Sequence, residues 1–287
     1  MFLLHGTPGS RKGPKPKASL LYRLGIKLIA FDRPGYGGST RHIGRSVADG
    51  AADVAAVADQ LGIDRFAVVG RSGGGPHALA CAALLPDRVA RALVLVSVAN
   101  PEAPELNWFE GMSDDNVTEF TAADEDPLLL IERLSVKAMQ VNHDPESLVL
   151  DLESQMTDPD RRVVKDTSIR RLLHTTYLEA LRGGPHGWID DVFAFRRPWG
   201  FALGGITIPV RLWHGEEDNF APAGHTRWIA GQIPTAMVEV QSGAAHFGAF
   251  EILPTMLRWL TEWRSSRSSG HPAVGHPSVG PRTGVGR

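Results

Sequence analysis

The sequence predicts an α/β protein: a mostly parallel sheet with helices on both faces and one long helical insertion. Three observations predict it. Short apolar runs alternate with helical patterns from Phe2 to Ser97. Those runs are continuous rather than alternating with polar residues, which is how strands covered on both faces read. The alternation stops at Asn100-Pro101, gives way to helical signals, and resumes at Val210.

The elements follow in order. Phe2-Leu3-Leu4 is a strand that runs into His5-Gly6-Thr7-Pro8-Gly9-Ser10. Residues 14–25 form a short helix with Leu20, Leu21 and Leu24 on one side. Residues 28–31 are the next strand, ended by the turn residues Asp32-Arg33-Pro34-Gly35-Tyr36-Gly37-Gly38-Ser39. Residues 45–61 are helical, with Val47, Ala51, Val54, Val57, Ala58 and Leu61 at helical spacing, and Gly62 stops them. Strand 66–69 meets Gly70-Arg71-Ser72-Gly73-Gly74, and an alanine- and leucine-rich helix follows to about Leu85. After the turn Pro86-Asp87-Arg88, residues 92–97 are a strand.

Residues 101–205 are expected to be a helical insertion lying over the sheet. Asp126-Pro127 and Asp144-Pro145 each start a helix, with proline in the first turn. A third helix spans 166–181, ended by Gly183-Gly184-Pro185, and a loop with Trp188, Phe193, Phe195, Trp199 and Phe201 closes the segment. Strand 210–214, a helix at 221–232, strand 236–240 and a helix at 247–264 complete the chain, with Pro254 expected to kink or restart the last helix. The expected organisation is therefore a core in two parts, 1–100 and 206–264, an insertion at 101–205, and a disordered tail at 265–287 made of Ser, Gly, Pro, His and Arg. His271 and His276 in that tail get no metal role.

Composition narrows the function. With 287 residues, 43% of them hydrophobic, and a net charge of −2, this is a globular chain with no reason to hold nucleic acid. Its single cysteine, Cys81, excludes an internal disulfide and a thiolate metal cluster, and reads as a small buried hydrophobe. The first residues are too short for a signal peptide, and no apolar run approaches a membrane span. A cytoplasmic protein with a small-molecule substrate is expected; the oligomeric state is not readable. Residues 1–50 carry nine Lys/Arg against two Asp/Glu, and residues 101–165 carry sixteen Asp/Glu against five Lys/Arg. An acidic and a basic solvated surface account for this; a sharper reading is that the acidic segment discourages anionic substrates.

Ser72 carries the chemistry. A G-x-S-x-G turn between a strand and a helix reads as a nucleophile elbow, in which the flanking glycines let strand and helix pack close to a serine in a strained conformation. A serine hydroxyl needs a base, and the base needs an acid to hold its tautomer. Both stand where later strands end. Strand 210–214 runs into His214-Gly215-Glu216-Glu217-Asp218, and strand 236–240 is followed by Ser242-Gly243-Ala244-Ala245-His246. No phosphate loop, His-Glu-x-x-His or dinucleotide spacing is present, so no cofactor and no metal is expected.

Four blocks, His5-Gly6-Thr7-Pro8-Gly9, Asp32-Arg33-Pro34-Gly35-Tyr36-Gly37, the elbow and the Asp218/His246 loops, make the chain resemble the α/β-hydrolases with an HGxPG oxyanion loop and a helical cap. The resemblance implies that Ser72 attacks, His246 is general base and then general acid, and Asp218 orients it, with Glu217 as the fallback acid. It implies an oxyanion hole made by the N–H groups of Gly73 and Thr7. It also implies two strands ahead of Phe2; these N-terminal strands are missing here, strand 28–32 becomes an exposed edge, and either the start is placed too late, the preferred reading, or the protein tolerates a six-stranded sheet. Trp108, Phe109, Met112, Trp188, Trp199 and Phe201 either line an apolar acyl pocket or pack cap on core. The other histidines, at 5, 77, 143, 174, 186, 214 and 225, are given packing or surface roles, and Arg71 gets none. The expected function is a serine esterase acting on a small ester, thioester or lactone through an acyl-enzyme. A proline-iminopeptidase-like aminopeptidase and a non-catalytic small-molecule-binding protein of the same fold are the alternatives.

Overall fold

The computed structural model describes residues 1–264. Five strands, β1 (Phe2–Leu4), β2 (Phe66–Arg71), β3 (Val89–Leu95), β4 (Val210–Gly215) and β5 (Ala236–Gln241), form one sheet in that order. Every pairing is parallel, as continuous apolar strands require. Eleven α-helices surround it: α1 (Ala18–Arg23), α2 (Asp49–Gln60), α3 (Gly74–Leu84), α4 (Asp114–Glu125), α5 (Pro127–His143), α6 (Glu146–Gln155), α7 (Asp158–Val164), α8 (Thr167–Leu181), α9 (His186–Phe195), α10 (Ala223–Gln232) and α11 (Ala249–Thr261).

The period of two in a strand sorts the core into two layers. Phe66, Val68, Val94 and Leu212 face one side, with Val54 of α2, Ala78 and Ala82 of α3 and Ile229 of α10. Ala67, Val69, Leu93, Leu95 and Trp213 face the other, with Leu253, Leu257 and Leu260 of α11 and Leu20, Leu21 and Leu24 near α1. Burial of about 25 cal/mol per Å² on both faces is what holds such a sheet. Because the strands are parallel, all their carboxyl ends reach the same edge, and the loops that carry Thr7, Ser72, Asp218 and His246 leave from that edge.

α4 to α9 all lie between β3 and β4. α5 starts as its sequence says: Asp126 accepts the Leu129 N–H at 3.1 Å, Pro127 sits in the first turn, and Leu130, Leu134, Ala138 and Val141 are buried at helical spacing. Asp166 caps α8 in the same way, accepting from the N–H groups of Ser168 and Ile169.

The structure departs from expectation at several elements. The strand at 28–31 is a single bridge at Ile29, which donates to Met1 O and accepts from Leu3 N–H, both at 2.9 Å. Beyond it, the chain turns so that the Arg33 N–H bonds to the His5 ring and the Arg33 guanidinium to the His5 carbonyl, and no ladder extends. The segment expected as an aromatic loop is helix α9, because Trp188, Ile189, Val192 and Phe195 recur at helical spacing and are all buried. α4 and α7 are additional helices, and α11 runs on through Pro254. The expectations for 265–287, including His271 and His276, lie outside the described residues.

Candidate active site

Ser72 stands at the turn between β2 and α3. Ser72 has φ of 53°, a left-handed conformation uncommon outside glycine. Its N–H bonds to Leu95 O of β3 at 2.8 Å, and its carbonyl accepts the Gly75 N–H at 2.7 Å. Two glycines make the close approach possible. A Cβ on Gly70 would fall inside Gly74 O, and one on Gly74 inside the Leu4 carbonyl of β1.

Asp218 and His246 also meet. His246 Nδ1 stands 2.8 Å from Asp218 Oδ2; a carboxylate only accepts, so Nδ1 carries a proton. The His246 ring is held edge-on against Phe220 and Phe247, with centroids 5.5 and 5.7 Å away. Asp218 is buried, whereas Glu216 and Glu217 are exposed. The other Asp218 oxygen accepts the N–H groups of Phe220 at 2.8 Å and Ala221 at 3.0 Å. Burial alone would raise the Asp218 carboxyl, but the His246 charge and the hydrogen bonds of His214 and His246 outweigh it and hold the group well below the ordinary carboxylate range.

Two contributors to this arrangement were not assigned from the sequence. His214, given a packing role, is fully buried with its Nε2 2.5 Å from Ala221 O and 3.1 Å from Asp218 Oδ2. A carbonyl only accepts, so Nε2 carries a proton, and Nδ1 is hydrogen-bonded to the Thr226 hydroxyl at 2.7 Å. Asp160 of α7 is fully buried, and its carboxylate takes two successive backbone N–H groups, His246 at 3.1 Å and Phe247 at 2.7 Å. Burial raises the Asp160 carboxyl to about 6, against the pull of His246 and of the Phe247 N–H.

The loop 5–9 lies against the elbow. A Cβ on Gly6 would come 3.3 Å from Ser72 Cβ, and one on Gly73 would collide with the Thr7 side chain. The Thr7–Pro8 bond is cis. The N–H groups of Thr7 and Gly73 have no acceptor among the described residues. A buried network fixes the loop from behind. Thr7 Oγ1 donates to Asp191 Oδ2 at 2.5 Å, and Arg33 Nη2 donates to Asp191 Oδ2 at 2.5 Å, Thr7 Oγ1 at 3.0 Å and Gly6 O at 3.1 Å. Tyr36 and Arg45 also donate to Asp191. Burial would raise the Asp191 carboxyl, but Arg33 and Arg45 hold it well below the ordinary range. Burial, then the Arg33 charge, keeps the His5 imidazole well below its ordinary value, so His5 is the neutral acceptor of the Arg33 N–H.

Ser72, Gly73, Thr7 and His246 line one cavity. Phe120, Leu148, Leu152, Trp188, Val192 and Phe195 supply its apolar wall from the insertion. Of the six large side chains weighed from the sequence, Trp188 alone is in this lining. Trp108 packs on Phe109, Phe120 and His225, Trp199 packs on Phe201, and Met112 is buried elsewhere. Among the described residues no group of three His, Cys, Asp or Glu could hold a metal ion, and no helix is long and apolar enough to cross a membrane.

Comparison with known proteins agrees on the architecture. A family model described as the alpha/beta hydrolase fold matches residues 1–251. A 2-hydroxy-6-oxononadienedioate/2-hydroxy-6-oxononatrienedioate hydrolase from Cupriavidus pinatubonensis is 27% identical over 268 residues, 91% of this chain and 85% of that protein. A bifunctional esterase/perhydrolase from Acinetobacter calcoaceticus is 27% identical over 225 residues, 77% of this chain and 75% of its own length. Among solved structures, a bromoperoxidase from Bacillus anthracis superposes with a TM-score of 0.65 at 19% identity, covering 92% of this chain and 91% of that one. The enol-lactonase from Burkholderia xenovorans gives 0.63 at 16% identity, covering 92% and 90%.

Proposed function

The chain belongs to the α/β-hydrolase fold family, and from that premise we propose that it is a serine hydrolase cleaving a small ester, thioester or lactone through an acyl-enzyme. The observation that carries the reading is that Ser72 and His246 line one cavity, with Nδ1 of His246 held by a buried carboxylate. Ser72 Oγ attacks the carbonyl carbon while His246 Nε2 takes its proton. The oxyanion is received by the N–H groups of Thr7 and Gly73, each worth about 3 kcal/mol at the transition state. His246 then protonates the leaving alcohol, thiol or lactone oxygen. A water molecule, activated by the same nitrogen, releases the acid.

Residues 101–205 act as the cap in this reading. They supply most of the apolar wall, so they set which acyl groups fit. The aminopeptidase alternative gains little from that segment's acidity. Asp115 and Glu119 do line the cavity, but Lys137 and Arg133 neutralise them.

The test is labelling with a fluorophosphonate, read by intact mass, beside turnover of a short p-nitrophenyl ester. Wild type is expected to take one equivalent and to turn over, and Ser72→Ala to do neither. Folded wild-type protein that takes no label, or Ser72→Ala labelled to the same extent, overturns the reading.

A further inference from the structure

Arg71 stands immediately before the nucleophile, and the reaction above gives it no task. It is half-buried and lines the cavity beside Ser72. Its guanidinium lies over the Phe250 ring at 4.4 Å, which fixes the plane of the cation. A Cβ added to Gly6 would stand 3.4 Å from Arg71 Nη2, so the tip of the side chain reaches the oxyanion loop. Among the described residues no carboxylate pairs with it; the titrating group that bears on it is the Tyr177 hydroxyl. Burial brings its pKa down to about 10, which leaves it charged at neutral pH.

The rest of the lining sharpens the contrast. The other cation there, Lys137, is taken by Asp115 and Glu119. Lys137 and Arg133 together balance Asp115 and Glu119, and the remaining carboxylate of the lining, Asp151, is exposed to solvent that screens it. Arg71 also lines a second, smaller cavity, whose lining holds no acidic side chain. A cation withdrawn from water without a counter-ion is costly, and an arriving anion relieves that cost. The guanidinium fork matches a carboxylate with two parallel N–H donors.

We propose that Arg71 binds a free carboxylate on the substrate, so that the ester, thioester or lactone opened at Ser72 is an anionic one. This rests on the serine-hydrolase reading and narrows its substrate class.

The experiment compares kcat/KM within matched pairs. Monomethyl esters of four- to six-carbon dicarboxylic acids are set against methyl esters of the corresponding monocarboxylic acids. Acetyl esters of three- to five-carbon hydroxy acids are set against acetyl esters of the corresponding alcohols. Wild type is expected to favour the anionic member of at least one pair by about tenfold or more. Arg71→Met is expected to bring that ratio close to one, and Arg71→Lys to keep part of it. The ratio is taken within one protein, so it does not depend on the fraction folded, and the wild-type ratio stands even if Arg71→Met fails to fold. Labelling of Ser72 with turnover of neutral esters but no anionic preference removes the Arg71 site alone, as does a preference that survives in Arg71→Met. Absence of labelling removes the serine-hydrolase reading, and this one with it.

Discussion

His214 shows how much one side chain can contribute without touching a substrate. Its Nε2 proton is shared by Ala221 O and Asp218 Oδ2, so it steadies both the acid and the loop that carries it. His214→Phe keeps the ring and removes every hydrogen bond. Asp218, Ala221 O and Thr226 then lose partners in a buried site, a cost of about 1–3 kcal/mol. The native Asp218 carboxyl lies below its unfolded value, so its contribution to stability is present above about pH 4 and is lost as pH falls through the native value. Without His214 the native carboxyl rises toward the unfolded one. The variant is expected to be less stable at pH 7, to complete its acid loss at a higher pH, and to lose about tenfold in kcat. Urea denaturation from pH 2 to 7 and ester kinetics check this. In the sequence, nothing local distinguishes a histidine that bonds a buried carboxylate from one that fills a core.

At the scale of elements, α7 is the piece that reaches furthest. It is seven residues long, yet both oxygens of its Asp160 hold the backbone that carries His246. In Asp160→Asn the amide can accept one N–H and must turn its NH₂ toward the other. A fall of about tenfold in kcat follows, with His246 itself unchanged. The carboxyl is raised to about 6 in the native protein against about 3.9 unfolded, so the native state binds a proton that the unfolded state has lost. Stability therefore falls by about 3 kcal/mol as pH rises from 4 to 6 and is level above that on this account. Asp160→Asn is expected to lack that slope, which thermal melts across pH 4–7 measure.

The legibility of the elements divides on the same line. β2, the elbow and the ends of β4 and β5 were readable because local patterns place Ser72, Asp218 and His246 on turns. Asp158-Pro159 carries the same start signal as Asp126-Pro127 and Asp144-Pro145, so α7 had a cue, but the contact of Asp160 with the His246 backbone has none. Residues 28–31 had strand composition, yet their hydrogen bonding is decided by where Arg33 goes, and composition does not encode that.

Across the whole molecule, Asp191 ties together segments remote in sequence. It joins the loop at 5–9 through Thr7, the turn at 32–40 through Arg33 and Tyr36, and the start of α2 through Arg45, all from α9. Removing one partner of a buried ion pair leaves an uncompensated charge and costs about 3–5 kcal/mol. Asp191→Ala leaves two buried guanidinium groups facing each other. A midpoint well below wild type is expected, with any folded fraction losing kcat more than KM, because the Thr7 loop is no longer held. Differential scanning fluorimetry and steady-state kinetics on the same preparation test it.

The order of the strands has a consequence for how the chain is made. β3 finds its second neighbour only when β4 appears, and everything from Leu95 to Val210 is synthesised in between. At about 5–20 residues per second, the open side of β3 waits on the order of ten seconds at the ribosome. Closing so long a loop also slows the pairing itself. The six helices between β3 and β4 thus impose a delay during which an apolar strand edge is available to other chains.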